Sequence, residues 1–296
     1  MSPDVRLRAL ADAGRQDPGA PTVGRVVTPP HRKSEKDAPD WYEEMYERQR
    51  KVPSSHHIRV EHSIACPKIG SVYCGAMRAS DGSIEWLEDF ITAWHGPRQP
   101  SYGLTETELP AFLPAPLQRL YRHAGRWPGP NPEEHLPDSP GIFQQQDVLV
   151  PAEALSLHDG TVEFLSENQD SWTCRVTAAA PSAPVVLSNA HWMWDDDPED
   201  EYTPLTPSLE QFLTSFVLQE TVFGCRNLAT ADEPAALPDR SVPLWLDGWY
   251  VFEEPSHSFW SVDSTLVADI SGTRWVGWNG PDTPSAELGK LQMIRS

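Results

Sequence analysis

The stretch from Leu113 to Gly125, LPAPLQRLYRHAG, constrains the chain most, because the start, the apolar stripe and the stop of one helix are all written into it. Pro114 and Pro116 fit only a helix cap or first turn, where a missing N–H leaves no bond unmade. Leu113, Leu117, Leu120, Tyr121 and Ala124 then recur on one helical face, with Gln118, Arg119, Arg122 and His123 opposite. Gly125 is expected to end the helix as a left-handed residue. A helix of three turns is unstable alone in water, so its stripe must dock on a larger body.

Two further helices frame that body. From Ser83, Ile84, Leu87, Ile91 and Trp94 share a face with Trp86 and Phe90 beside it, and Gly96-Pro97 closes the segment. Ser208 and Gln211 stand in capping-box positions ahead of Leu209, Phe212, Leu213, Phe216, Val217 and Phe223, and Gly224 follows. Burial of each Leu or Phe there contributes about 1.5–3 kcal/mol, so this late helix belongs at the centre of the core.

Between and after the helices the period changes to two. Val162 and Phe164, then Trp172, Cys174 and Val176, predict a hairpin turning over Glu167 to Asp170; DVLVPAEAL and Pro184 to Leu187 predict shorter strands. From Val242 to Trp278 several antiparallel strands are expected, with turns at Asp247-Gly248 and Ser271-Gly272. Short connections between neighbouring strands mean hairpins rather than crossovers. The predicted fold class is α+β, an antiparallel sheet packed against a few helices.

The ends read differently. Residues 1–39 are rich in Pro, Gly and charge without apolar period and are expected to be a disordered N-terminal segment. Residues 40–81 form an extension: a helix through WYEEMYERQRK, then an extended stretch holding His56, His57, His62, Cys66 and Cys74. Imidazole and thiolate suit zinc, but neighbouring His56 and His57 would face opposite ways on an extended chain and the spacing matches no zinc pattern, so no metal is expected. The main domain is placed at 82–280, with 281–296 as a loose C-terminal tail. No apolar run approaches the ~18 residues of a membrane span and the N-terminus lacks a signal-peptide core, so a cytoplasmic location is expected. Cys66, Cys74, Cys174 and Cys225 are too sparse for a disulfide framework and read as reduced.

The net charge is −20, and since residues 1–40 are nearly balanced, the excess falls on the remainder. Nucleic acid and anionic membranes are recognised through Lys and Arg, so both are excluded as expected partners and a cationic protein is favoured. The charge peaks in DDDPEDE, six carboxylates in seven residues, an exposed acidic loop by like-charge repulsion. Candidate partner-binding residues are Trp192 and Trp194, as aromatic anchors, with Asp195, Asp196, Asp197, Glu199, Asp200 and Glu201. Glu167, Asn168 and Gln169 are added because their side chains offer both donors and acceptors, although a polar turn held by side-chain-to-backbone bonds explains them as well. The loop lacks the spacing that wraps calcium. Serine-hydrolase, zinc-protease, P-loop and dinucleotide motifs are absent, so no enzyme and no cofactor are expected.

Read in succession, WLEDFITAW, LPAPLQRLYRHAG, EFLSENQDSW, PVVL with its aromatic cluster and SLEQFLTSFVLQETVFG resemble the SMI1/KNR4, or SUKH, superfamily. The match lies in Leu113-Pro114 running to Gly125, Glu167-Asn168-Gln169 at a strand end, and the Phe-Leu helix from Leu209 to Gly224 before closing strands. The resemblance covers roughly residues 82–280. It implies a SUKH-like α+β domain that binds other proteins, often a bacterial immunity protein that neutralises a toxin by direct contact, and it implies no catalysis. A regulatory or scaffolding module with an endogenous partner is the alternative, and a metal-dependent enzyme using the His56–Cys74 stretch a third.

Overall fold

A computed structural model describes residues 77–129, 141–169, 171–178, 184–193, 201–231, 236–248, 257–282 and 284–295. The expected disorder of residues 1–39, the helix after Asp40 and the His56–Cys74 stretch lie outside them. Among the described residues are three α-helices and two antiparallel sheets, so the α+β class holds, with two sheets in place of the single one expected.

The first helix, α1 (Ile84–His95), starts at Ser83, whose hydroxyl accepts the Trp86 N–H, and ends at Gly96. The second, α2 (Ala115–Ala124), begins behind Pro114 and buries Leu117, Leu120, Tyr121 and Ala124. Gly125 ends it differently from expectation: its φ of −63° is right-handed. What the site requires is the absence of a side chain, since a Cβ there would meet the Leu104 Cδ1 at 2.4 Å and the Tyr121 carbonyl oxygen at 2.8 Å.

Sheet 1 is built from β1 (Asp147–Leu149), β2 (Leu157–His158), β3 (Thr161–Glu167), β4 (Thr173–Thr177), β5 (Val185–Ser188) and β6 (Thr203–Ser208), in the order β1-β3-β4-β5-β6 with β2 also on β3. The expected hairpin is β3–β4. Val162 stands opposite Val176, and a bulge after Glu163 brings Leu165 opposite Cys174.

After β6 the chain enters α3 (Leu209–Phe223), with the Ser208–Gln211 capping box formed in both directions. Sheet 2 follows entirely after it: β7 (Asn227–Ala231), β8 (Val242–Gly248), β9 (His257–Val262), β10 (Thr265–Ile270), β11 (Thr273–Trp278) and β12 (Leu291–Arg295), in the order β12-β7-β11-β10-β9-β8. Ser271 and Gly272, both at positive φ, make the expected two-residue turn between β10 and β11. Asp247-Gly248 is no turn. Strand β8 runs through it, and Gly248 lies so close to His257 that a Cβ would fall 1.5 Å from the His257 carbonyl oxygen.

Helix α3 was expected to carry a wide apolar stripe; in the fold every residue from Phe212 to Val222 is buried. The reason is that it lies between the two sheets. Phe212 meets Phe164 of sheet 1 edge to face at 5.7 Å, Phe216 meets Phe143 before β1 at the same distance, and Phe223 packs on Trp275 of sheet 2 at 4.8 Å. The far face of sheet 2 has its own small core of Val262, Val267, Val276, Trp278 and Leu288. Residues beyond 280 were expected to be loose. Instead Leu288 is buried in that core and β12 pairs with β7, Leu291 opposite Ala231 and Met293 opposite Ala229. At the other boundary the Ser80 N–H donates to the Leu244 carbonyl, so structure begins before residue 82.

Candidate functional site

Strand register decides which sequence-predicted residues meet. Glu167 ends β3 and Thr173 begins β4; antiparallel to β4, β5 brings Ser188 opposite Cys174, and β6 brings Thr203 opposite Ser188. The β3–β4 turn, carrying Glu167, Asn168 and Gln169, therefore lies at the same end of sheet 1 as the connection from Asn189 to Tyr202. That connection holds Trp192, on a 3-10 turn of Ala190–Met193, and Glu201, which is exposed. Trp194, Asp195, Asp196, Asp197, Glu199 and Asp200 lie outside the described residues.

The two segments are joined by direct bonds. The Thr173 N–H donates to the Asn189 Oδ1 at 2.7 Å, and the Asn189 N–H returns to the Thr173 carbonyl. The Thr173 Oγ1 lies 2.5 Å from the Tyr202 hydroxyl, while the Arg175 guanidinium sits 4.0 Å from the centre of the Tyr202 ring and 3.4 Å from Glu163. Tyr202 thus fixes the point where the acidic run re-enters the sheet. Burial pushes its phenol up, and the ring under a cation gains about 0.5–1 kcal/mol at an exposed site.

Within the turn the labour is divided. The Glu167 Oε2 accepts the N–H groups of Gln169 and Ser171, so this carboxylate serves the turn itself. Gln169 is exposed at the tip.

A second polar constellation, which sequence reading missed, is buried beneath. Glu220 of α3 is fully buried, and its carboxylate accepts the backbone N–H groups of Gln145, Gln146 and Asp147 at 2.6, 3.0 and 2.9 Å. Its neighbour Gln219 donates to the Asp147 carboxylate at 2.8 Å and places its Oε1 3.0 Å from the His257 Nε2. Helix α3, the start of β1 and the start of β9 are thereby tied together. Burial, reinforced by Asp147, pushes the Glu220 carboxyl well above the ordinary carboxylate range against the pull of the three N–H groups. Burial also depresses His257 to about 4. A signal was present: two adjacent polar residues, Gln219 and Glu220, inside a helix rich in Leu, Phe and Val.

A cleft of about 490 Å³ opens between the end of α2 and residues 141–153. Its described lining is mostly apolar and carries Arg126, engaged by Glu108, with Glu153 and the Tyr121 side chain. Among the described residues no three His, Cys, Asp or Glu side chains converge as a metal site would require, and no helix is long and apolar enough to cross a membrane.

The chain finds no match among family models, curated proteins or solved structures.

Proposed function

We propose that this chain is a protein-binding domain of SMI1/KNR4 (SUKH) type, an immunity protein that neutralises a basic bacterial toxin domain by direct contact. The observation that carries the reading is that Glu167–Gln169 lies at the same end of sheet 1 as the two described ends of the acidic connection, Ala190–Met193 and Glu201–Tyr202. The order of elements supports it too: a Leu-Pro helix ending at Gly125, a strand ending in Glu167, and a long helix before the closing strands. In this reading the partner docks on that end. The acidic run steers its approach, Trp192 and Trp194 anchor it, and Tyr202 with Asn189 hold the rim in place.

Complementary fields speed association and lose that effect as salt screens them. The test is to isolate the partner by pull-down with the full chain and measure both rates at low and high salt. Replacing Asp195, Asp196, Asp197, Glu199, Asp200 and Glu201 by Asn or Gln slows association; Trp192→Ala or Trp194→Ala speeds dissociation, costing about 2 kcal/mol at a hot spot. Rates that ignore salt and all these substitutions refute the docking site. A partner encoded outside the neighbouring genes and lacking toxicity favours the regulatory or scaffolding alternative over immunity.

A further inference from the structure

Three buried side chains pass hydrogen bonds from one sheet to the other. Asp147 opens β1, Gln219 stands in α3 and His257 opens β9. The Gln219 amide is the joint: its Nε2 lies 2.8 Å from the Asp147 Oδ2, and its Oε1 lies 3.0 Å from the His257 Nε2. An amide offers donors on one side and an acceptor on the other, so these two contacts cannot be chosen independently. A carboxylate only accepts. While Asp147 is charged, Gln219 turns its N–H₂ toward it, the amide oxygen then faces the imidazole, and His257 meets that oxygen with a proton on Nε2.

The surroundings supply that charge. Burial, and then the Asp147 charge, push the neighbouring Glu220 carboxyl up, so the two carboxyls do not both ionise. Cys174 of β4 also faces Asp147, and burial pushes its thiol up. Glu167, opposite Asp147 in the β1–β3 register, is bound into its own turn. Among the described residues, Gly248 of β8, Phe259 of β9 and Ile270 of β10 stand around His257, and none of them titrates. The imidazole, depressed by burial to about 4, is neutral near pH 7, so its tautomer is a defined property.

We infer that Gln219 is a two-position relay that locks His257 in its Nε2–H form while Asp147 is ionised and turns over when Asp147 gains a proton. In the turned position the Asp147 O–H donates to the amide oxygen, and the amide N–H₂ donates to the His257 Nε2. The carboxyl takes its proton from solvent. The imidazole gives up the proton on Nε2 and takes one on Nδ1, so its charge is unchanged. Both positions keep both bonds of the relay, whereas any mixed arrangement sets oxygen against oxygen or hydrogen against hydrogen in a buried site, so the turn is all-or-none. The bond of 3.1 Å from the Trp245 Nε1 to the Ser215 Oγ involves no group that titrates near neutral pH, and it holds α3 to β8 in either position. A proton taken up at the head of β1, next to the cleft wall of Phe143 and Leu149, is thereby registered at the head of β9, and the coupling is reciprocal. The docking end of sheet 1 plays no part in it.

The experiment is long-range proton–nitrogen correlation of the imidazole rings in the isotope-labelled full chain near neutral pH, where the two ring nitrogens report the tautomer. The His257 signals among the ten histidines are those missing from His257→Asn. The expected wild-type form is Nε2–H. Asp147→Asn acts from the other sheet: it removes the charge at constant size and can face Gln219 with either group. The Nδ1–H fraction of His257 then rises at least about fivefold, the low end of ordinary coupling between sites. Where Asp147→Asn fails to fold by thermal unfolding, Gln219→Met severs the joint and likewise frees the Nδ1–H form. A wild-type His257 held as Nδ1–H overturns the inference, and so does a folded Asp147→Asn or Gln219→Met chain whose His257 stays wholly Nε2–H.

Discussion

Replacing Glu220 tests the buried knot that joins α3 to the start of β1. Glu220→Ala leaves the N–H groups of Gln145, Gln146 and Asp147 without their acceptor, that of Asp147 in a fully buried position and those of Gln145 and Gln146 in half-buried ones. Each such donor costs about 1–3 kcal/mol, partly offset by removal of a buried carboxylate, so the expected loss is about 3–6 kcal/mol. That is a large share of the 5–15 kcal/mol typical of a domain. Glu220→Gln keeps one acceptor oxygen and sets an amide N–H₂ where the other stood, for a smaller loss of about 1–3 kcal/mol. Urea unfolding at pH 7 measures both.

The pH dependence sharpens the test. Because the folded carboxyl is raised above its ordinary 4.5, wild-type stability from this group is full below 4.5 and declines as rising pH forces the buried group to ionise. Glu220→Gln cannot ionise. The gap between wild type and this variant therefore narrows as pH rises. A gap that widens would show that the three N–H groups outweigh burial, and a Glu220→Ala loss below 1 kcal/mol would show that the donors find other partners.

Three further outcomes are expected. His257, depressed to about 4 from 6.5, contributes stability that is complete above 6.5 and is lost as pH falls toward 4, at up to about 1.4 kcal/mol per pH unit; His257→Asn removes that part of the acid slope, while His95, depressed to about 3, leaves a residue of it. Gly125→Ala, which drives a methyl into Leu104 and the Tyr121 carbonyl, costs about 1–3 kcal/mol in urea unfolding, whereas Gly272→Ala, at φ +83° in open space, costs only about 1 kcal/mol in backbone strain. Arg119→Ala breaks bonds to Glu85 and Glu88 at the surface and changes stability by less than about 1 kcal/mol, less still in high salt.

Much of the fold was legible because its helices announce themselves locally. The caps at Ser83 and Ser208, the stripe from Leu113 and the Ser271-Gly272 turn each depend on a few adjacent residues. What was missed depends on distant ones. TPLTPS carries two prolines and no alternation that marks a strand, yet it becomes β6 because β5 lies ready to pair with it. LQMIR is short and ends in a charge, and only β7 makes it a strand. Asp247-Gly248 has turn chemistry, but the glycine was needed for close approach to His257. Within the candidate site the composition of the turn and the acidic run was visible in sequence. Their proximity was not, since it follows from the registers of three strand pairs, and the Glu220–Gln219–His257 chain is built of bonds between residues up to 75 positions apart.

The placement of α3 also fixes a timetable. All of sheet 1 precedes it in the chain and all of sheet 2 follows it. A ribosome adding about 5–20 residues per second needs several seconds to make the stretch that carries sheet 2, and through that interval the part already made presents one wall of an apolar helix to water. The nascent chain is then most exposed to chaperones and to other nascent chains, and only the closing strands end that period. By the same division, a break in the backbone after α3 separates two pieces that each contain a whole sheet, so reassembly rests chiefly on burying one helix face, with the Ser80–Leu244 and Gln219–His257 bonds re-formed beside it.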